Sequence, residues 1–208
     1  DLLGMGLLLR MAAVCHIGGT LLTIFAWDYW ALLAATLILG LGNGLVEAVC
    51  NPLIATMYPK EKTHKLTVFH AWFPGGIVIG ALVAYAFENF GGLDWKLTMA
   101  TMLVPSIAYT VMIFSQKFPP TERVEAGVSF GGMFREAFVR PLYLLLLVLM
   151  LFTAATELGV GQWIANIFDD VLPEYAGQGI LLLAWGSGLM WFLRQFTSGY
   201  LSRLLSPV

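Results

Sequence analysis

Six long runs of apolar residues, separated by mostly short polar links, dominate this sequence. Each run is near or above the roughly 20 residues that an α-helix needs to cross about 30 Å of hydrocarbon. Charged residues make up only 12% of the chain and hydrophobic residues 59%, which leaves too few charges to cover a water-soluble surface. The sequence therefore predicts an all-α membrane protein with about six transmembrane helices, near residues 2–26, 31–58, 66–90, 96–116, 141–168 and 179–201.

The basic residues of the links predict the orientation of these spans. Lys96 is the only basic residue expected on one side of the membrane, and all the others are expected on the opposite side. Lys and Arg accumulate on the cytoplasmic side of membrane proteins, so the first span should begin in the cytoplasm. The basic residues of that side are Arg10, Lys60, Lys62, Lys65, Lys117, Arg123, Arg135, Arg140, Arg194 and Arg203.

The longest link, residues 117–140, is polar and contains Pro119 and Pro120 near its start. Ser129 is suited to cap a helix, and apolar side chains recur after it at helical spacing, at Phe130, Met133, Phe134 and Phe138. This pattern predicts an amphipathic helix on the cytoplasmic membrane interface. The alternative is an ordinary juxtamembrane start to the fifth span.

The second span carries a polar stripe. Asn43, Glu47 and Asn51 follow one another at intervals of four residues and should share one helix face. A carboxylate at mid-helix costs roughly 2.5–3.5 kcal/mol to insert into a membrane, so Glu47 needs a reason to be there. Pro52 also removes the hydrogen bond to the Ala48 carbonyl. The stripe predicts a wet cavity wall, or alternatively a structural polar contact between helices.

Two further spans contain polar candidates. In the fifth span, Gln162 and Asn166 share a face and Glu157 lies elsewhere on the turn. In the third span, His70 and Trp72 precede Pro74, which together with the glycines after it favours a kink. A lone histidine such as His70 can also be a packed, hydrogen-bonded residue.

Three other polar residues of the spans are expected to have structural roles. His16 should be a packed residue of the first span. Arg10 and Arg194 lie near the cytoplasmic side, where long side chains reach towards water.

Motifs for enzymatic or metal chemistry are missing from the sequence. The three histidines lack metal-ligand spacing, and there is no CxxC pair, P-loop or nucleophile elbow. Cys15 and Cys50 lie inside apolar runs and are interpreted as small buried hydrophobes rather than a disulfide. The sequence thus predicts a protein that is not an enzyme, with no metal, no cofactor and no nucleic-acid partner.

The first residues, Asp1-Leu2-Leu3-Gly4, resemble the D-x-x-G core of the loop between the second and third helices of major facilitator transporters, and Gly199-x-x-x-Arg203 resembles the matching loop of the second half. The resemblance implies a fragment covering about helices three to eight of twelve in a two-bundle architecture. The absence of an initiator Met also suggests a fragment. The last four helices of the N-terminal bundle would then span 1–116, the cytoplasmic linker 117–140, and the first two helices of the C-terminal bundle 141–208.

A narrower resemblance covers the second and third spans. The pattern G-x-G-x-x-E-x-x-x-N-P, matched by Gly42, Gly44, Glu47, Asn51 and Pro52, resembles the fourth helix of the fucose:proton symporter branch. That resemblance implies proton coupling and sugar binding at Glu47. The segment around Glu157, ATELGVGQW, resembles the seventh helix of the branch. Thr67 and Phe73 depart from its pattern and argue against fucose itself.

Together these features predict a secondary transporter of the inner or plasma membrane, a sugar:proton symporter that works by alternating access. The coupling residue would be Glu47. The alternatives are a facilitator or antiporter of the same fold for another small polar metabolite, and a non-transport membrane receptor or enzyme. The expected substrate-binding residues are Asn43, Glu47, Asn51, Glu157, Gln162, Asn166, His70 and Trp72.

Overall fold

The structure, a computed structural model, describes residues 3–204, apart from the side chains of residues 122, 123, 198, 199 and 201–204. Asp1 of the first loop motif and the side chain of Arg203 in the second therefore lie outside the described residues. Within this range the regular structure is helical. The helices are α1 Met5–Ile24, α2 Tyr29–Met57, α3 Lys62–Ala86, α4 Trp95–Ala100, α5 Leu103–Phe114, α6 Glu122–Glu125, α7 Phe130–Val139, α8 Pro141–Val171 and α9 Gly179–Leu204.

Among the described residues, five helical segments are long and apolar enough to cross a membrane, judged by length and composition. The predicted all-α membrane fold is confirmed. The sixth predicted span corresponds to α9, whose last side chains are outside the description. The five segments are Met5–Ile24, Tyr29–Met57, Lys62–Gly91, Trp95–Phe114 and Pro141–Val171.

The fourth span is broken into two helices, which the sequence analysis did not predict. α4 ends at Ala100, and α5 begins at Leu103. Pro105 has no N–H to bond back to the Thr101 carbonyl. That carbonyl instead accepts a hydrogen bond from the Val104 N–H at 3.1 Å, so the chain makes one tighter turn before the helix resumes.

Side-chain caps define where several helices begin. The Asp28 carboxylate accepts a hydrogen bond from the Ala31 N–H at 2.7 Å at the start of α2. Ser129 accepts one from the Gly132 N–H at 3.1 Å at the start of α7. Each cap satisfies a backbone donor that the first helical turn leaves unpaired. The predicted cap and helix after Ser129 are confirmed, whereas the position of α7 at the membrane interface stays a prediction.

The described residues form two compact units, each treated separately below. The first comprises the residues up to Lys62 together with Gly91–Gly127. Its core is built from Met5, Leu9 and Val49, so that α1 packs on α2. Partly buried side chains complete this core, namely Leu8, Val46, Cys50, Leu53, Ile113 and Phe118.

The second unit comprises Thr63–Phe90 and the residues from Val128 onwards. It contains α7, α8, α9 and nearly all of α3. The first half of α8 is a leucine-rich surface, exposed throughout residues 141–153, as expected for a helix that faces lipid or other helices. The predicted division into 1–116, 117–140 and 141–208 concerns the bundles of a larger assembly and stays a prediction.

Candidate functional site

The polar stripe of α2 forms the candidate site of the first unit. Glu47 is the nineteenth of the 29 residues of α2, which places it well inside the span. Asn43 and Glu47 are exposed, and Asn51 is half-buried. Glu47 makes no hydrogen bond or ion pair with any residue that the structure describes, and the buried Asn51 Oδ1 likewise has no partner among them. Two of the three stripe residues, Glu47 and Asn51, therefore carry polar groups without a partner in the described part of the chain.

Asn43 is held by a hydrogen-bonded network that joins three helices. His16 Nε2 on α1 lies 3.0 Å from Asn43 Oδ1 on α2. The other ring nitrogen, Nδ1, lies 2.7 Å from the hydroxyl of Tyr109 on α5. The two rings meet edge to face, with their centroids 5.8 Å apart. His16 is half-buried and hydrogen-bonded, in line with the prediction of a packed residue, and one of its partners belongs to the stripe.

Gly42 makes this approach possible. A Cβ atom at position 42 would lie 2.6 Å from His16 Cδ2 and 2.8 Å from His16 Nε2, both shorter than non-bonded atoms tolerate. Gly44, two residues further along α2, has no such neighbour within 4 Å among the described atoms. The glycine at position 42 is therefore needed for the imidazole to reach Asn43.

Glu157, in the middle of α8, forms an ion pair in the second unit. It is the seventeenth of the 31 residues of α8. Arg194 Nη2 on α9 lies 3.5 Å from Glu157 Oε1, and Arg194 Nη1 lies 3.4 Å from the backbone carbonyl oxygen of His70 on α3. The expectation that Arg194 simply reaches towards water is therefore wrong, because its guanidinium links the other two helices.

A cavity of about 570 Å³ opens beside Glu157, within the range of small-molecule sites. Its polar lining side chains are Glu157 and Gln162 of α8 and Ser187 of α9, and the rest of the lining is apolar. Asn166 is not among the lining residues. Helical spacing predicted that Gln162 and Asn166 share a face and that Glu157 lies apart. In the structure Glu157 and Gln162 line the same cavity, and Asn166 does not.

The two remaining candidates, His70 and Trp72, lie on α3 outside this lining. His70 contributes its backbone carbonyl to Arg194. The Trp72 ring packs edge to face against Trp191 of α9, with centroids 6.1 Å apart. Gly75 permits this packing, because a Cβ there would lie 2.7 Å from Trp191 Cδ1. Both residues therefore support the α3–α9 packing of the second unit.

Sequence reasoning did not identify His16, Tyr109, Arg194 or Ser187 as site residues. A signal existed for Arg194, because a carboxylate inside a membrane span is commonly paired with a cation. For His16 and Tyr109 the sequence held no such signal, since the network joins residues 27 and 93 positions apart.

Comparison with known proteins decides the family. The sequence matches the Major Facilitator Superfamily over residues 2–207, almost its entire length. The chain belongs to the Major Facilitator Superfamily. It is an integral membrane protein, and the plasma-membrane location predicted from the sequence fits this membership. No solved structure matches the chain.

Several curated proteins resemble this superfamily member over about half of its length. Sugar transport protein 1 of Arabidopsis thaliana is 24% identical over 126 residues, which cover 60% of this chain and 24% of the relative. Myo-inositol transporter 1 of Saccharomyces cerevisiae is 27% identical over 124 residues, 57% of this chain and 20% of the relative. The D-xylose transporter of Levilactobacillus brevis is 27% identical over 104 residues, 49% of this chain and 23% of the relative.

The matched region thus spans about a quarter of the length of these relatives. They support the predicted superfamily. The narrower resemblance to the fucose:proton symporter branch is not confirmed by them and stays a prediction.

Proposed function

We propose that the protein is a secondary transporter that carries a neutral sugar or related polyol together with a proton. The observation that carries this proposal is the Asn43–Glu47–Asn51 stripe on a membrane-spanning helix, where Glu47 and the Asn51 Oδ1 have no partner among the described residues. Polar groups that are costly to insert into a bilayer mark substrate and proton pathways. The relatives, all named as transporters, support transport rather than enzymatic catalysis.

The substrate class follows from the chemistry of the candidate residues. The relatives are named for sugar, myo-inositol and D-xylose, which share several hydroxyl groups and no charge. A hydroxyl both donates and accepts hydrogen bonds, and amides and carboxylates complement it. The α2 stripe supplies such groups in the first unit, and Glu157 and Gln162 supply them in the cavity of the second.

Glu47 is the group to which we assign proton coupling. It has no cationic partner among the described residues, and it occupies the glutamate position of the pattern that resembles the fucose:proton symporter branch. When protonated, its carboxyl can donate a hydrogen bond to a sugar hydroxyl. When charged, it can only accept one. A carboxyl that changes form between access states couples proton movement to substrate movement.

The wider mechanism proposed here is alternating access. In this scheme the chain supplies helices three to eight of a twelve-helix assembly, and the substrate binds near the membrane midplane between two bundles. Access alternates because the bundles rock around the site. A facilitator would share this geometry but would need no proton, so the coupling experiment separates the two.

The test uses the full-length protein in liposomes, with radiolabelled neutral sugars, an inositol and a sugar acid offered in turn. We expect counterflow of at least one neutral compound and uphill accumulation when the outside is made acidic. Glu47→Gln should abolish accumulation but keep part of the exchange, because glutamine donates a hydrogen bond without releasing a proton. Glu88→Gln, a matched change in a turn at the end of α3, should behave like the wild type.

Three results would count against the proposal. Counterflow of sugar acids alone, or of none of the compounds, would refute the substrate class. Accumulation by Glu47→Gln at the wild-type rate and with the wild-type pH dependence would make Glu47 a structural contact. Counterflow that does not respond to pH would indicate a facilitator.

A further inference from the structure

The His16–Asn43–Tyr109 network has a chemical consequence for what Asn43 can bind. Asn43 Oδ1 can only accept a hydrogen bond, so the His16 Nε2 that lies 3.0 Å away must carry the hydrogen. A neutral imidazole has one N–H, which leaves Nδ1 bare. The Tyr109 hydroxyl, 2.7 Å from Nδ1, then donates to it. Tyr109 thereby selects the tautomer of His16, because the hydrogen bond at one ring nitrogen decides which nitrogen carries the proton.

We propose that His16 is a positioning residue that turns the Asn43 amide so that its NH₂ group, and not its oxygen, faces the substrate. This inference rests on the proposed function, because it assigns Asn43 to the sugar site. With Oδ1 engaged, Asn43 keeps its two N–H donors for other partners. Asn43 is exposed on the same helix face as Glu47. The Asn43 NH₂ group therefore donates a hydrogen bond to an oxygen atom of the substrate.

The packing around His16 is built for this role. The ring is half-buried, and it lies against Gly42, where any side chain would displace it. Helices α1 and α5 supply the histidine and the tyrosine, while α2 carries the group that is positioned. The imidazole is thus fixed by two hydrogen bonds and by the space that Gly42 leaves for it. In this scheme the imidazole itself does not touch the substrate. Because the Asn43 amide is already held in one orientation before the substrate arrives, less conformational entropy is lost on binding.

The first experiment measures transport by the full-length protein. His16→Phe keeps a planar ring but removes both hydrogen bonds, so the Asn43 amide can rotate. We expect the KM for the neutral sugar to rise about three- to tenfold, the value of one hydrogen bond, with kcat little changed. Tyr109→Phe should give a smaller rise, because His16 remains but its tautomer is free. His16→Gln can still donate to Asn43 and should recover most of the affinity.

Matched controls separate positioning from general damage. Val14→Ala changes an exposed residue of α1 two positions before His16, outside the network. Tyr143→Phe removes a tyrosine hydroxyl from α8 in the second unit. Both should keep the wild-type KM. If His16→Phe lowers only the amount of protein in the membrane, and His16→Gln does so equally, His16 is a structural residue and the proposal is wrong.

The second experiment does not depend on transport. Nitrogen-15 NMR of the full-length protein with labelled histidine distinguishes the two ring nitrogens, and the His16→Gln variant identifies the His16 signals. We expect a protonated Nε2 and a bare, hydrogen-bonded Nδ1, and a change in the Nδ1 signal in Tyr109→Phe. The opposite tautomer would mean that Asn43 presents its oxygen, which would overturn the inference.

The two experiments fail in distinguishable ways. If the wild-type protein moves no sugar but His16 shows the expected tautomer, the proposed function fails and the network stands. If the protein transports sugar but His16 shows the opposite tautomer, or His16→Phe keeps the wild-type KM, the positioning role fails and the proposed function stands.

Discussion

Glu47 of α2 and Glu157 of α8, both well inside their helices, differ in what surrounds them. Glu157 of the second unit faces a guanidinium, with Arg194 Nη2 3.5 Å from its Oε1, and both side chains keep about a third of their surface exposed, 33% for Arg194 and 35% for Glu157. Glu47 of the first unit has no ionic partner in the described part of the chain, and its neighbour Asn43 is hydrogen-bonded to the His16 imidazole. A carboxylate that is paired with a cation suits a permanently charged hydrogen-bond acceptor. An unpaired carboxylate suits a group that gains and loses a proton.

The difference also separates two ways of making a polar site inside a membrane. In the second unit the charge of Glu157 is offset by the opposite charge of Arg194, and both side chains lose conformational freedom in the pair. The first unit leaves its carboxylate unpaired and fixes the amide beside it. The five predictions below test this contrast.

The largest effect is expected from breaking the ion pair. Arg194→Gln leaves the Glu157 charge without its partner, and we expect a severalfold loss of folded protein and a lower thermal midpoint in detergent. Fully buried pairs cost roughly 3–5 kcal/mol to break in this way, and the partial exposure here makes the cost smaller. Fluorescence-detected size exclusion of heated samples measures it.

Two controls accompany that measurement. The double variant Glu157→Gln and Arg194→Gln removes both charges and should recover most of the stability. Glu47→Gln removes a carboxylate that has no ionic partner and should melt like the wild type. Equal melting of Arg194→Gln and Glu47→Gln would show that the two carboxylates do not differ as described.

The next effect concerns substrate affinity in the second unit. Gln162 lines the cavity beside Glu157, and Asn166 does not. We expect Gln162→Leu to raise the KM for the transported sugar about three- to tenfold, since one hydrogen bond is lost. Asn166→Leu, one helical turn further, should leave the KM unchanged. A larger effect of Asn166→Leu would place the substrate nearer the outer end of α8.

A smaller effect should separate two glycines of α2. Alanine favours a helix over glycine by about 1 kcal/mol, so Gly44→Ala should keep or raise the thermal midpoint. Gly42→Ala should lower it, because the new methyl group would meet the His16 ring and overpacking typically costs 1–3 kcal/mol. His16 is held by two hydrogen bonds and cannot easily move aside. Identical midpoints for the two variants would show that the imidazole is not fixed.

The second unit has a similar pair of glycines on α3, Gly75 and Gly76, and we expect a smaller difference between their alanine variants than between those of Gly42 and Gly44. Gly75→Ala would meet Trp191, whereas Gly76→Ala meets nothing within 4 Å in the described part of the chain. Trp191 Nε1 has no hydrogen-bond partner among those residues, so the indole can shift more readily than the imidazole. Gly75→Ala should therefore lower the midpoint less than Gly42→Ala does.

How much of this could be predicted from the sequence depends on the range of each interaction. The spans, the Ser129 cap and the Asn43–Glu47–Asn51 stripe all follow from residues at most a few turns apart, and helical periodicity is sufficient to find them. The break between α4 and α5 also has a local cause, since Pro105 lacks the N–H that would continue the helix. Local patterns thus gave the fold and one face of the candidate site.

The partners of the site residues could not be predicted in this way. His16 meets Asn43 27 positions along the chain, and Glu157 meets Arg194 37 positions along. Which faces of two helices meet depends on side-chain packing, which helical spacing alone does not fix. For the same reason Glu157 was placed apart from Gln162, although both line one cavity.

The smallest expected change in stability tests the other end of the stripe. The Asn51 Oδ1 is buried and has no hydrogen-bond partner among the described residues, whereas Asn43 Oδ1 has one. An unsatisfied buried polar group costs about 1–3 kcal/mol, so Asn51→Leu should keep or slightly raise the thermal midpoint. If Asn51 binds substrate, the same variant should raise the KM for the sugar severalfold. Asn43→Leu should instead lower the midpoint, because it leaves His16 Nε2 unpaired. Should Asn51→Leu lower the midpoint and keep the wild-type KM, Asn51 would be a structural contact, and the polar face available to substrate would shorten to Asn43 and Glu47.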